Sequence, residues 1–118
     1  MTRGDWILIA VADAKRGPLQ PVQLQKGLFL LGENLSNRQL HVDQFYDFEP
    51  YDYGPFCGLI YTDAEELERK GLLIIQRPPE TRFKQYAITD AGARAAAELE
   101  SRLDGNVREY ASSVINFT

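Results

Sequence analysis

Between Gln39 and Glu68 the chain carries eight carboxylates and no lysine or arginine: Asp43, Asp47, Glu49, Asp52, Asp63, Glu65, Glu66 and Glu68. Five aromatics are threaded through the first half of that stretch, namely Phe45, Tyr46, Phe48, Tyr51 and Tyr53. Aromatics at such density can stack unpaired bases, but stacking platforms are framed by cations and these are framed by carboxylates. Core packing with tyrosine hydroxyls reaching the surface is therefore the expectation, and the acidic face suits either plain solvation or a basic protein partner. The cations lie elsewhere. Arg77, Arg82 and Lys84 bracket Pro78-Pro79, Lys15 and Arg16 follow the first apolar segment, and Arg38 follows the second. Those positions suit phosphate contacts, and the two prolines lower the ordering cost of any contact made there. Lys26 sits beside an apolar stripe, where it snorkels to solvent or lies over a tyrosine of the aromatic stretch.

Other chemistries lack their parts. One cysteine, Cys57, and one histidine, His41, cannot assemble a structural zinc site or a Cys/His nucleophilic pair within one chain. Cys57 reads as a small core residue. No glycine-rich phosphate loop, paired-carboxylate motif or nucleophile elbow is present. The expectation is a protein that is not an enzyme and needs no cofactor or metal. A net charge of −4 over 118 residues, 44% of them hydrophobic, is ordinary for a single domain and neither demands nor excludes nucleic acid. No apolar run approaches a membrane span and no signal-peptide pattern opens the chain, so the expected setting is cytoplasmic, without a membrane partner.

The elements that must position these residues follow from periodicity. Asp5 to Lys15 reads as a helix apolar nearly all round, hence central, and Arg16-Gly17-Pro18 ends it. Pro21 can open a second helix, where Leu24, Leu28, Leu31 and Leu35 make one buried stripe. Gln39 to Tyr53 reads as an insertion of extended character closing on Gly54-Pro55. Pro55 is then the first residue of a third helix through Phe56, Leu59, Ile60 and Leu67, with Thr62 and Glu65 allowing a restart at Asp63. Glu65–Arg69 and Glu66–Lys70 are correctly ordered helix pairs, and Gly71 supplies the left-handed stop with Leu72 as cap contact. Leu72 to Gln76 and Phe83 to Ile88 read as a hairpin across a proline-bearing loop. Thr89 caps a last, alanine-rich helix. Its stripe continues through Leu103, Val107, Tyr110 and Val114, with Gly105-Asn106 able to split it in two.

Two pieces resemble known families. Leu67-x-x-x-Gly71-Leu72-Leu73 with Tyr86-Ala87-Ile88-Thr89-Asp90-Ala91-Gly92 is similar to the wing region of MarR- and PadR-type regulators. Leu24-Gln25-Lys26-Gly27-Leu28-Phe29-Leu30-Leu31 followed by Phe48-x-x-Tyr51-x-Tyr53-Gly54-Pro55-Phe56 resembles the YwgA-like group and the Panacea antitoxin domain. The resemblance covers most of residues 22 to 92 and implies a small bacterial or phage regulator, with repressor, antitoxin or adaptor roles open. It carries over no catalytic residues.

The expected fold is α+β: a winged helix-turn-helix with an insertion between helices 2 and 3 and a C-terminal helical extension. Residues 1–118 form one domain, with core 5–92 and extension 90–116. The leading functional expectation is DNA binding in transcriptional regulation, with Arg77, Arg82, Lys84, Lys15, Arg16 and Arg38 on the phosphates of double-stranded DNA. The alternative is a protein-interaction module whose Asp43, Asp47, Glu49, Tyr51 and Asp52 dock a basic partner. In either case Leu103, Val107, Tyr110 and Val114 are expected to bury against a twofold copy in a homodimer, because a helix that has already covered its own core seldom needs a further apolar stripe; the alternative is that this segment folds back over the first helix of its own chain.

Overall fold

A computed structural model describes all of residues 1–118. Helix α1 (Arg3–Asp13) starts where the Thr2 N–H donates to the Asp5 carboxylate at 2.9 Å, an acidic group placed favourably at a helix amino end. Trp6, Ile7, Leu8, Ile9 and Ala10 are all buried, so this helix has no solvent face through its middle. Four other helices are arranged so that α1 touches each of them. They are α2 (Pro21–Asn34), α3 (Leu59–Arg69), α4 (Asp90–Glu100) and α5 (Gly105–Phe117). α2 opens on Pro21 and buries Leu24, Leu28 and Leu31, as the stripe requires.

Two small antiparallel sheets complete an α+β fold. β1 (Glu49–Tyr51) pairs with β2 (Gly54–Phe56), and β3 (Leu73–Gln76) pairs with β4 (Gln85–Ile88). Leu19, between α1 and α2, adds a single bridge to β4 through reciprocal bonds with Tyr86 of 3.0 and 2.8 Å. α3 stops at Gly71, whose φ of 77° is left-handed, and the Leu72 N–H closes back on the Leu67 carbonyl. The Thr89 hydroxyl oxygen accepts from the Gly92 N–H at 2.9 Å while its own proton goes to the Gly71 carbonyl at 2.8 Å. One side chain thus joins the start of α4 to the end of α3. No helix is long and apolar enough to cross a membrane.

Three expectations are corrected. The segment closing on Gly54-Pro55 is a hairpin, not an approach to a helix. Pro55 lies in β2 opposite Pro50, Gly54 turns at φ 115°, and α3 begins only at Leu59 and runs through Thr62 without a restart. The cause is the buried side chain of Gln25. Its amide donates to the Cys57 carbonyl at 3.0 Å and accepts the Cys57 N–H at 2.9 Å, holding that backbone as a neighbouring strand would. The second hairpin is shorter than expected, with Arg77 to Lys84 as its loop.

The third correction concerns the C-terminal stripe. The chain does break at Gly105, and α5 folds back on α1 and α2. Leu103, Val107 and Val114 are buried in the chain's own core, and Tyr110 packs partly against it. α2 and α5 approach so closely that a Cβ on Gly27 would lie 2.8 Å from the Ile115 Cδ1. Asn116 fixes the docking: its amide donates to the Asp13 carbonyl at 3.0 Å and accepts the Lys15 N–H at 2.8 Å.

Candidate functional site

The acidic stretch divides into groups that hold the fold and groups that face solvent. Asp63 is half-buried, accepts the Tyr46 hydroxyl at 2.6 Å and pairs with Arg3 at 3.4 Å, while the Arg3 guanidinium lies 5.1 Å over the Tyr46 ring. Burial, then the bond to Asp63, push the Tyr46 hydroxyl well above the usual phenol range, so it stays a donor. Of the two readings of Lys26 the structure shows it exposed, and the cation–π contact to a tyrosine of this stretch is made by Arg3. Glu68 accepts the Ile75 N–H at 2.8 Å and ties α3 to β3. Glu66 pairs with Arg69, three residues on rather than the expected four. Asp43, Asp47, Glu49, Asp52 and Glu65 remain exposed with no cation.

The aromatics divide in the same way. Phe45 and Tyr46 are core, and a Cβ at Gly32 would lie 2.8 Å from the Phe45 ring, which presses this part of the insertion onto α2. Tyr51 and Tyr53 are instead 62% and 85% exposed at the tip of the β1–β2 hairpin. Phe29 of α2 meets Phe48 edge to face at 5.5 Å. A cleft of about 410 Å³ lies to one side of that pair, between Tyr51, Pro50 and Pro55, with Glu49 on its wall. A second, of about 330 Å³, shares the Phe29 and Phe48 lining and has Glu33 and Asp47 on its wall. Neither has a lysine or arginine in its lining. The five residues expected to bind a basic partner (Asp43, Asp47, Glu49, Tyr51 and Asp52) are thus all exposed, and the structure gathers Asp47, Glu49 and Tyr51 around one aromatic pair.

The expected phosphate-binding cations are less concentrated. Arg77, Arg82 and Lys84 are exposed in or beside the β3–β4 loop, with Phe83 58% exposed among them. Lys15 and Arg16 follow α1 and Arg38 follows α2, all exposed and none in an ion pair.

One cluster escapes sequence reasoning. Asp13 and Glu100, at the ends of α1 and α4, border a cleft of about 570 Å³ whose lining includes Lys15, Arg108, Ser112 and Asn116. Glu100 Oε1 is buried without a donor, and its neighbour is the Asp13 carboxyl. Burial first, then the hydrogen bond and charge of Glu100, push the Asp13 carboxyl up to about 8 against the pull of Arg108 and Lys15. A proton on Asp13 supplies the donor that Glu100 lacks. A shared proton is also what an acid–base dyad uses, but no apolar residue lines this cleft, so nothing there would exclude water from a reaction. The only signal in sequence is an aspartate in the last turn of an otherwise apolar helix.

Comparison with protein families and with curated proteins returns no match for this chain.

Proposed function

We propose that the chain is a winged-helix protein-interaction module, an adaptor or antitoxin-type regulator, which binds a basic protein partner through its acidic, aromatic hairpin and performs no catalysis. The element order supports the winged-helix assignment. A helix is followed by the one-bridge strand at Leu19, two further helices, and a hairpin whose strand takes the Leu19 bridge. In that assignment α3 is the helix that would read DNA; its exposed positions are Leu59, Thr62, Glu65, Glu66 and Arg69, and Lys70 just after it is exposed as well. Arg69 is already occupied by Glu66. The observation that carries the proposal is the exposed β1–β2 hairpin, where Tyr51, Asp52 and Tyr53 form an acidic tip just ahead of that helix. A duplex would meet repulsion there, and a cationic protein surface would meet attraction.

A second reading keeps the leading expectation of DNA binding and transcriptional control. It is favoured by the wing, where Arg77, Arg82 and Lys84 stand exposed and unpaired around Pro78-Pro79. Phosphate contact by those side chains leaves α3 out of the groove.

A photo-cross-linking side chain placed at Tyr53 or at Phe83 separates the two in cells. An adduct at Tyr53 with a protein of basic sequence, lost in Asp47→Lys/Glu49→Lys/Asp52→Lys, supports the interaction module. An adduct at Phe83 with DNA, lost in Arg77→Glu/Arg82→Glu/Lys84→Glu, supports the second reading and overturns the first.

A further inference from the structure

We propose that the paired clefts flanking Phe29 and Phe48 form a seat for an arginine side chain presented by an extended segment of the partner protein. The inference rests on the interaction-module reading and gives it a site and a ligand chemistry.

A guanidinium has two distinct surfaces. Its flat face is weakly hydrated and stacks on aromatic rings, and its edge carries donors that fork onto carboxylates. The clefts offer both. Phe29, Phe48 and Tyr51 supply aromatic walls, and Glu33, Asp47 and Glu49 supply carboxylates. None of these three acids is engaged in an ion pair. An ammonium group would gain from the charges but has no flat face to lay on a ring, so the site should favour arginine over lysine.

The seat is also braced by packing before anything binds. Pro50 and Pro55 face each other across the hairpin, and Gly54 sets the turn at φ 115°. Phe48 is held by Phe29, and Tyr51 by Phe56 at 5.4 Å between ring centroids. Little ordering remains to oppose association. Strand addition is not how the partner docks. β1 is three residues long with Pro50 at its centre, and a proline has no N–H to give a new ladder. Recognition therefore falls to side chains. The acidic rim equally disfavours nucleic acid and anionic lipid.

The experiment is calorimetric titration of the full chain with three capped nonapeptides that carry arginine, lysine or citrulline at alternate positions. The arginine peptide should bind about tenfold tighter than its citrulline isostere and several-fold tighter than the lysine version. Glu33→Gln/Asp47→Asn/Glu49→Gln should weaken the arginine peptide about tenfold. These three side chains make no hydrogen bond or ion pair in the fold, so the variant should keep its thermal stability. Phe29→Leu retains an apolar contact but removes one of the three aromatic walls, and should narrow the preference for arginine over lysine. If Glu65→Gln/Glu66→Gln on α3 abolishes binding while the cleft triple variant does not, the seat is wrong and the interaction module stands. Equal binding of arginine and lysine by the unaltered chain overturns the seat as well. If no peptide binds at low salt and a mixed-sequence duplex does, both the seat and the module fall.

Discussion

Asp13→Asn should make this protein more stable at pH 8 and flatten its pH dependence. In the folded chain burial and Glu100 hold the Asp13 carboxyl protonated up to about 8, against an ordinary value of 3.8. The folded state therefore binds a proton that the unfolded state has released across the whole interval. A raised folded pKa contributes stability that is fully present below about 3.8 and is lost as pH rises through about 8. The slope can reach about 1.4 kcal/mol per pH unit, which bounds the total loss at about 6 kcal/mol. Asp13 is only partly buried, and solvent screening brings the expected loss nearer about 1–3 kcal/mol. An asparagine amide can donate to Glu100 as the protonated acid does, at every pH.

The assay is urea unfolding followed by the fluorescence of Trp6, the sole tryptophan and fully buried, at pH values from 5 to 9. The quantity to plot is variant minus wild type, because titrating groups away from the Asp13–Glu100 pair cancel. It should rise steadily in favour of the variant as pH increases to about 8 and then level off. A difference that is constant with pH would show that Asp13 is ionised throughout, and the shared-proton argument would be refuted. Arg108→Ala gives a second check. Removing a cation that pulls the Asp13 carboxyl down should move the levelling-off to higher pH.

Gly92→Ala should be severely destabilising, by about 3 kcal/mol or more, because the new Cβ would lie 1.8 Å from the Leu72 carbonyl oxygen; a thermal midpoint within a few degrees of wild type would contradict the packing described. Gln25→Leu leaves the Cys57 N–H and carbonyl without their partner and should cost about 2–4 kcal/mol, with local loss of amide protection around the β1–β2 hairpin in hydrogen exchange. Because Leu103, Val107 and Val114 are already covered by their own chain, light scattering should return a mass near the 13.4 kDa monomer rather than its double.

What the sequence made legible was what neighbours decide. Gly71 ends α3 and Thr89 starts α4 because each requirement is met within a few residues, and the Leu24-Leu28-Leu31 stripe needs only the helical repeat. The same local logic failed at Pro55. A proline fits the first turn of a helix and the edge of a short strand equally well, and the deciding contact is that of the Gln25 amide with Cys57, thirty-two residues apart. Three-residue strands are also too short to show an alternation. Periodicity likewise announced a buried face on α5 without saying what buries it. That answer sits in Asn116, whose bonds to Asp13 and Lys15 span most of the chain.

The candidate surface was half legible for a related reason. Counting charge located the acidic region correctly, but counting cannot separate carboxylates that hold the fold from those left free. Asp63 and Glu68 are spent internally on Arg3, Tyr46 and the Ile75 N–H. The free acids are consequently concentrated toward the hairpin, and Glu65 is the one left unpaired on α3. This redistribution weakens the argument that α3 is acidic enough to repel DNA by itself, and strengthens the one that the hairpin is. Asp52 stands between two exposed tyrosines at the hairpin tip, on a turn that Gly54 permits and two facing prolines flank. The same negative charge that repels a polyanion is what makes the adjoining clefts a ready surface for a cation.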